Sequence, residues 1–211
     1  MIVKLLTPEE YVKEMEKIAA LAALTCRANT EKEYEPSEVL GRIIKAGHES
    51  VLEHITLTYS VKGLSRACLQ ELARHRHISL SVESTRYTLR KYMKEIEEGK
   101  SLSMYLPAGR KISVDNITFS AEKLSSMFID WLMRIAIDCP EIPNDELKYY
   151  LPEFWPTNLI LTSNIRELRH ILKLRTSPAV LKEFRVLCYS LYEAVPEEYR
   201  YLVEDCEYKD E

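Results

Sequence analysis

His54-Ile55-Thr56-Leu57-Thr58-Tyr59-Ser60-Val61-Lys62 alternates apolar with polar side chains along its length. Successive side chains of a strand point to opposite faces, so Ile55, Leu57, Tyr59 and Val61 share one face and Thr56, Thr58, Ser60 and Lys62 the other. The alternation predicts a half-buried strand. On either side the period becomes helical. Leu64, Ala67, Cys68 and Leu72 carry a helix to Arg74, and an earlier helix runs from Pro36-Ser37 to a stop at Gly47. Residues 2–6 form a short apolar strand. Thr7-Pro8-Glu9-Glu10 then opens a helix, with Thr7 as N-cap, Pro8 in the first position and Glu10 closing a capping box. Tyr11, Met15, Ile18 and Ala22 continue it.

Downstream, residues 77–90 are rich in hydroxyls and lack a helical period, which predicts a loop. Asp115 to Asp138 predicts a long helix with Leu124, Met127, Phe128, Trp131 and Ile135 on one face. A short helix at 144–150 ends before Leu151-Pro152, Thr157 to Thr162 predicts a second strand, and helices follow at about 164–175 and 178–194. The acidic tail from Glu204 is expected to fray. Many helices with few, non-alternating strands predict an α+β fold: a small central, largely antiparallel sheet packed with helices, plus a helical lobe.

The 211 residues are 46% hydrophobic and 29% charged, with 5 glycines and no linker-like stretch, so one domain over 1–211 is expected. A formal net charge of -4 argues against binding nucleic acid through its backbone. No apolar run approaches the ~20 residues that span a bilayer. The opening Met1-Ile2-Val3-Lys4-Leu5-Leu6 is too short for a signal peptide, so a cytoplasmic location is expected. The cysteines Cys26, Cys68, Cys139, Cys188 and Cys206 are odd in number and lack C-x-x-C spacing, which indicates neither a disulfide framework nor a zinc site. His48 and His54 lie six apart, on opposite sides of a helix, so they do not make an i, i+4 metal motif.

The chemistry concentrates in Arg74-His75-Arg76-His77, followed by Ser79, Ser81, Ser84, Thr85 and Arg86. Guanidinium forks and hydroxyls suit phosphate oxygens. A helix C-terminus alone also favours cations, by roughly 0.3–1 kcal/mol each. A second cluster follows Asn164-x-x-Glu167, which has the form of a helix cap. Arg166, His170 and Lys173 form a basic stripe there, away from the apolar stripe of Ile165, Leu168 and Leu172. Arg175 projects from near the apolar side, where an unpaired charge is costly, so it needs an anionic partner.

Arg74-His75-Arg76, seven residues and then Ser84 resembles the signature of the flavin-dependent thymidylate synthases. The resemblance continues through Arg86-Tyr87, upstream into Gly47-His48-Glu49-Ser50 and Glu53-His54, and downstream into Leu151-Pro152, Thr157, Asn164, Arg166 and Arg175. It covers roughly residues 40–185. It implies FAD as cofactor, NADPH as reductant, methylenetetrahydrofolate as carbon donor and dUMP as acceptor. It also implies a homotetramer with active sites built from several subunits; the charge, the lack of a long apolar run and the histidine and cysteine spacing add the expectation of no nucleic-acid or membrane partner and no metal. For the flavin it implies His48, Ser50, Arg74, His75, Arg76, His77, Asn164, Arg166 and His170. For dUMP it implies Glu71, Arg74, Ser84, Arg86, Lys148 and Arg175, with Arg175 activating the uracil by favouring ionisation of N3.

Three positions depart from the family pattern. Glu71 stands where Gln is common, Ser81-Val82 replaces an Asn-Glu pair with Glu83 one place later, and Lys148 replaces a phosphate-binding Arg. Lys keeps the charge but loses the bidentate fork. Cys139-Pro140 lies outside every matched segment, so the resemblance does not assign Cys139 as a nucleophile.

Overall fold

The computed structural model of the chain describes residues 1–30, 33–100, 111–114, 117–175 and 177–206. Its strands are β1 (Ile2–Leu5), β2 (Thr56–Ser65), β3 (Ile78–Val82), β4 (Lys111–Val114), β5 (Ile117–Ser120) and β6 (Pro156–Asn164). Its helices are α1 (Glu9–Thr25), α2 (Pro36–Lys45), α3 (Arg66–Leu72), α4 (Thr85–Glu97), α5 (Ala121–Asp138), α6 (Asn144–Leu147), α7 (Ile165–Leu174) and α8 (Lys182–Glu193), with short 3-10 turns between several of them. The fold is α+β, with a small four-stranded antiparallel sheet of order β1-β2-β6-β3. The alternating stretch is the inner strand β2, and Ile55, Leu57, Tyr59 and Val61 are all buried as its pattern requires.

The described residues divide into two compact units, each assembled from separated stretches of chain. One unit takes 62–70 and 82–158; the other takes 2–61, 71–81 and 159–211. In the first, Leu89 and Met93 of α4 pack with Leu132 and Ala136 of α5, Leu147 and Trp155. Arg90 of α4 donates to the carbonyls of Ala136, Pro140 and Ile142, satisfying acceptors at and beyond the C-terminal end of α5. β4 and β5 form an antiparallel pair that leads into α5, whose N-cap Ser120 accepts from the Lys123 amide. In the second unit, Gly47 ends the turn after α2 with φ +71°, a conformation that favours glycine.

Several expectations need correction. Residues 77–90 are not a loop, because they hold β3 and the start of α4. Ile78, Leu80 and Val82 alternate with Ser79 and Ser81, and the buried pair Leu89 and Met93 straddles residue 90. The hydroxyls masked both periods. Thr7 does not cap α1. Its hydroxyl accepts from the Thr58 amide on β2, and Pro8 takes the cap position without a side-chain bond. The buried face of α1 is Val12, Glu16, Ala19 and Ala23, while Tyr11 and Ile18 are exposed. In α5 the buried residues are Ser125, Leu132 and Ala136, and Met127, Phe128 and Trp131 are exposed. The helix begins at Ala121, since Ile117–Ser120 is β5, and residues 115 and 116 lie outside the described residues. The start of the tail is not frayed: Glu204–Cys206 forms a 3-10 turn with Cys206 buried, and residues 207–211 lie outside the described residues.

Candidate active site

The sharpest piece of local structure is the start of α7. The Asn164 side chain accepts from the Glu167 amide at 2.8 Å, as an N-cap does. The cap fixes the helix register, burying Ile165, Leu168 and Leu172 and turning Arg166, His170 and Lys173 outward. Those three residues, with Asn164 and His77, line a cavity of about 550 Å³. Its remaining walls are the carboxylates Glu49, Glu53 and Glu167. Glu53 pairs with Arg166, and Glu49 accepts from Lys173 Nζ at 3.1 Å. The sequence showed these acids only as parts of a motif and a cap. Their role as counter-charges for the basic stripe follows from the 3-10 turn Glu49–His54 facing α7.

Beneath the stripe lies Arg169, which is 0% exposed. It forms a two-pronged pair with Asp205, donates to Glu49 Oε1 at 2.9 Å and to the Leu202 carbonyl at 2.6 Å. Lys173 reaches both Glu49 and Asp205. Burial works to raise the Glu49 pKa, but hydrogen bonds from Arg169 and Lys173 outweigh it and hold the carboxyl below its ordinary value. Nothing in the sequence linked Asp205 to this region.

The Arg74-His75-Arg76-His77 segment is the turn between α3 and β3. Arg74, Arg76 and His77 are exposed, and of these His77 reaches the cavity wall. His75 is 7% exposed and lies behind the wall. His48 and Ser50 are exposed at the start of the Glu49–His54 turn, next to Glu49 but not in the wall itself. Arg175 caps the C-terminal end of α7, and its expected anionic partner is Glu71, with Nη1 3.3 Å from Oε2. Its Nε donates to His75 Nε2 at 3.1 Å, and its guanidinium lies 4.8 Å from the Phe184 ring centroid.

The other unit holds Ser84, Arg86 and Lys148. Ser84 heads α4, and its hydroxyl makes no cap bond. Arg86 and Lys148 both turn to Asp145, at 3.1 and 3.7 Å. Two cations sharing one exposed carboxylate beside a helix N-terminus can exchange that partner for a phosphate. The displaced acid Glu83 is tied to Asn158 by its carboxylate and its amide.

The chain matches the family model described as thymidylate synthase complementing protein over residues 9–199. The chain belongs to the flavin-dependent thymidylate synthase family. The Campylobacter jejuni flavin-dependent thymidylate synthase is 40% identical over 184 residues, covering 85% of this chain and 84% of that one. The Helicobacter pylori flavin-dependent thymidylate synthase is 40% identical over 201 residues, covering 90% and 93%. A crystal structure of thymidylate synthase X from Helicobacter pylori with FAD and dUMP superposes with TM-score 0.76 at 34% identity, covering 98% of this chain and 99% of that one. Membership in the flavin-dependent thymidylate synthase family therefore rests on nearly the whole chain, not on the Arg-His-Arg signature alone.

Proposed function

We propose that this chain methylates dUMP reductively to dTMP, with methylenetetrahydrofolate as carbon donor and FAD, reduced by NADPH, as cofactor. The observation that carries the reading is the cavity where His77, Asn164, Arg166 and His170 converge. Its donor set fits a flavin nucleotide. Arg166 and Lys173 can bind phosphate oxygens, and Asn164, His77 and His170 offer both donors and acceptors to ring edges. Ser50, His48, Arg74 and Arg76, on the turns beside it, complete the proposed flavin set. Bound and reduced, FAD would supply the hydride that completes the methyl group.

The protein's own part is to position and polarise. Ser84, Arg86 and Lys148 hold the dUMP phosphate, Asp145 giving way to it. Arg74 and Glu71 belong to the same nucleotide set. Arg175 faces the pyrimidine and stabilises negative charge on the ring, which makes C5 nucleophilic without a cysteine adduct. Lys148→Ala is expected to raise the KM for dUMP by about tenfold, the loss of one charge-assisted hydrogen bond of ~1.5 kcal/mol, with the bound-flavin spectrum unchanged. Steady-state kinetics with varied dUMP checks this.

The exposed apolar face of α5 supports a homotetramer. Phe128 and Trp131 are 52% and 49% exposed and lie beside Met127 and Leu124 around one apolar depression. Such a patch is costly in water and is covered readily by a second copy. Trp131→Glu is expected to shift sedimentation to a smaller species, whereas an unchanged tetramer would place the interface elsewhere. The matched span 9–199 supports a single functional domain. The proposal includes a cytoplasmic location without membrane or nucleic-acid partners; among the described residues no helix is long and apolar enough to cross a membrane, and the net charge is -4.

The deciding experiment is a visible absorption spectrum after incubation with FAD, followed by dUMP. A bound-flavin spectrum that shifts with dUMP supports both ligands in one site. A protein that cannot be reconstituted with FAD sinks the proposal.

A further inference from the structure

We infer that Glu167 and His75 form a relay that positions Arg175, Glu167 fixing the His75 ring and the ring fixing the guanidinium. The inference rests on the reading of Arg175 as the group that polarises uracil. An arginine Nε–H can only donate, so His75 Nε2, 3.1 Å from Arg175 Nε, must be the unprotonated acceptor. The proton of the neutral ring is then on Nδ1, which faces Glu167 Oε1 at 3.3 Å. One carboxylate thereby selects the tautomer that lets the next residue hold Arg175. Burial first, and then the neighbouring Arg175 charge, push the His75 pKa below the ordinary histidine range, with Glu167 pulling the other way. A neutral ring is what the geometry requires.

The parts around the relay leave it little freedom. Glu167 is held from its own backbone by the Asn164 cap, so the cavity's first helical turn also sets the carboxylate. His75 meets Phe184 and His170 at centroid distances of 6.0 and 6.1 Å. Phe184 also lies against Arg175, so one ring backs both members of the pair. Glu71 takes Arg175 Nη1. The signature histidine therefore works through Arg175, and Glu167 is a positioning residue one step further back.

The test begins with the parent holoenzyme labelled with 15N-histidine. His75 is expected to show a bare Nε2 and a protonated Nδ1. The opposite tautomer, or an imidazolium, overturns the relay. Glu167→Ala is expected to lower kcat by about 10- to 100-fold with the KM for dUMP within about threefold. E167Q keeps an acceptor oxygen for Nδ1–H and is expected to recover kcat to within about threefold of the parent. Combining Glu167→Ala with Arg175→Ala should add nothing to the loss from Arg175→Ala alone, because both changes remove the same function. Parental kcat in Glu167→Ala, no recovery in E167Q, or a further full loss in the double variant each overturns the relay. Full turnover in Arg175→Ala would instead overturn the parent reading.

Discussion

Arg175→Ala is expected to turn over roughly 10²–10³-fold more slowly than the parent, the range seen when one preorganised donor to developing negative charge is removed. The flavin spectrum should survive, because Asn164, Arg166 and His170 sit at the other end of α7 or on its outward face and keep their cap and their counter-charges. Arg175→Lys is the sharper variant. An ammonium keeps the charge but not the planar fork, so it cannot reproduce the guanidinium's simultaneous engagement of His75 Nε2 and Glu71. It should fall between parent and alanine. Single-turnover measurement with pre-reduced flavin separates this effect from cofactor loss. Parental rates in both variants would remove Arg175 from the chemistry.

Arg169→Met is expected to cost about 3 kcal/mol of stability. Removing one partner of a buried ion pair leaves its acids uncompensated, typically by ~3–5 kcal/mol. The low end applies because Asp205 and Glu49 are partly exposed and can rehydrate. At roughly 2–4 °C per kcal/mol for a chain of this size, the thermal midpoint should drop by about 6–12 °C. The pH dependence gives an independent check. Glu49 and Asp205 are both held below the ordinary carboxyl range, so the unfolded chain binds protons more readily than the folded one. Their contribution is complete above the unfolded values of about 4.3 and 3.9, and is lost as pH falls through the lower folded values. The parental midpoint should therefore fall more steeply than that of Arg169→Met between about pH 5 and 3. Parallel slopes would show that the network does not carry the acid sensitivity.

The parts of this fold that could be read in advance were those where a period or a steric rule acts alone. β2 alternates from Thr56 to Lys62, α7 carries its own cap, and Gly47 ends a turn that favours a positive φ. The demand of Arg175 for an anion was equally legible, since charge near an apolar stripe needs a partner wherever the fold places it. Where two signals overlapped, the louder one misled. Ser79 and Ser81 hid β3, and the bulk of Tyr11 and Ile18 drew attention away from the small residues α1 buries. In α5 apolar residues lie on two faces, and sequence cannot say which one the chain itself covers. The counter-charges were harder still. Glu49 and Asp205 reach Arg169 across 120 and 36 residues of chain, and no local spacing records such pairings.

The interleaving of the two units bears on how the chain comes off the ribosome. One unit needs residues 2–61 together with 159–211, so its first half is made long before its second. Until β6 emerges, β2 has β1 on one side and an unpaired edge on the other. Contacts that span so much of the chain slow folding and lengthen the time such strands stay open to other chains. That unit can close only after its C-terminal stretch has been made, and until then the nascent chain is the form most in need of a holdase.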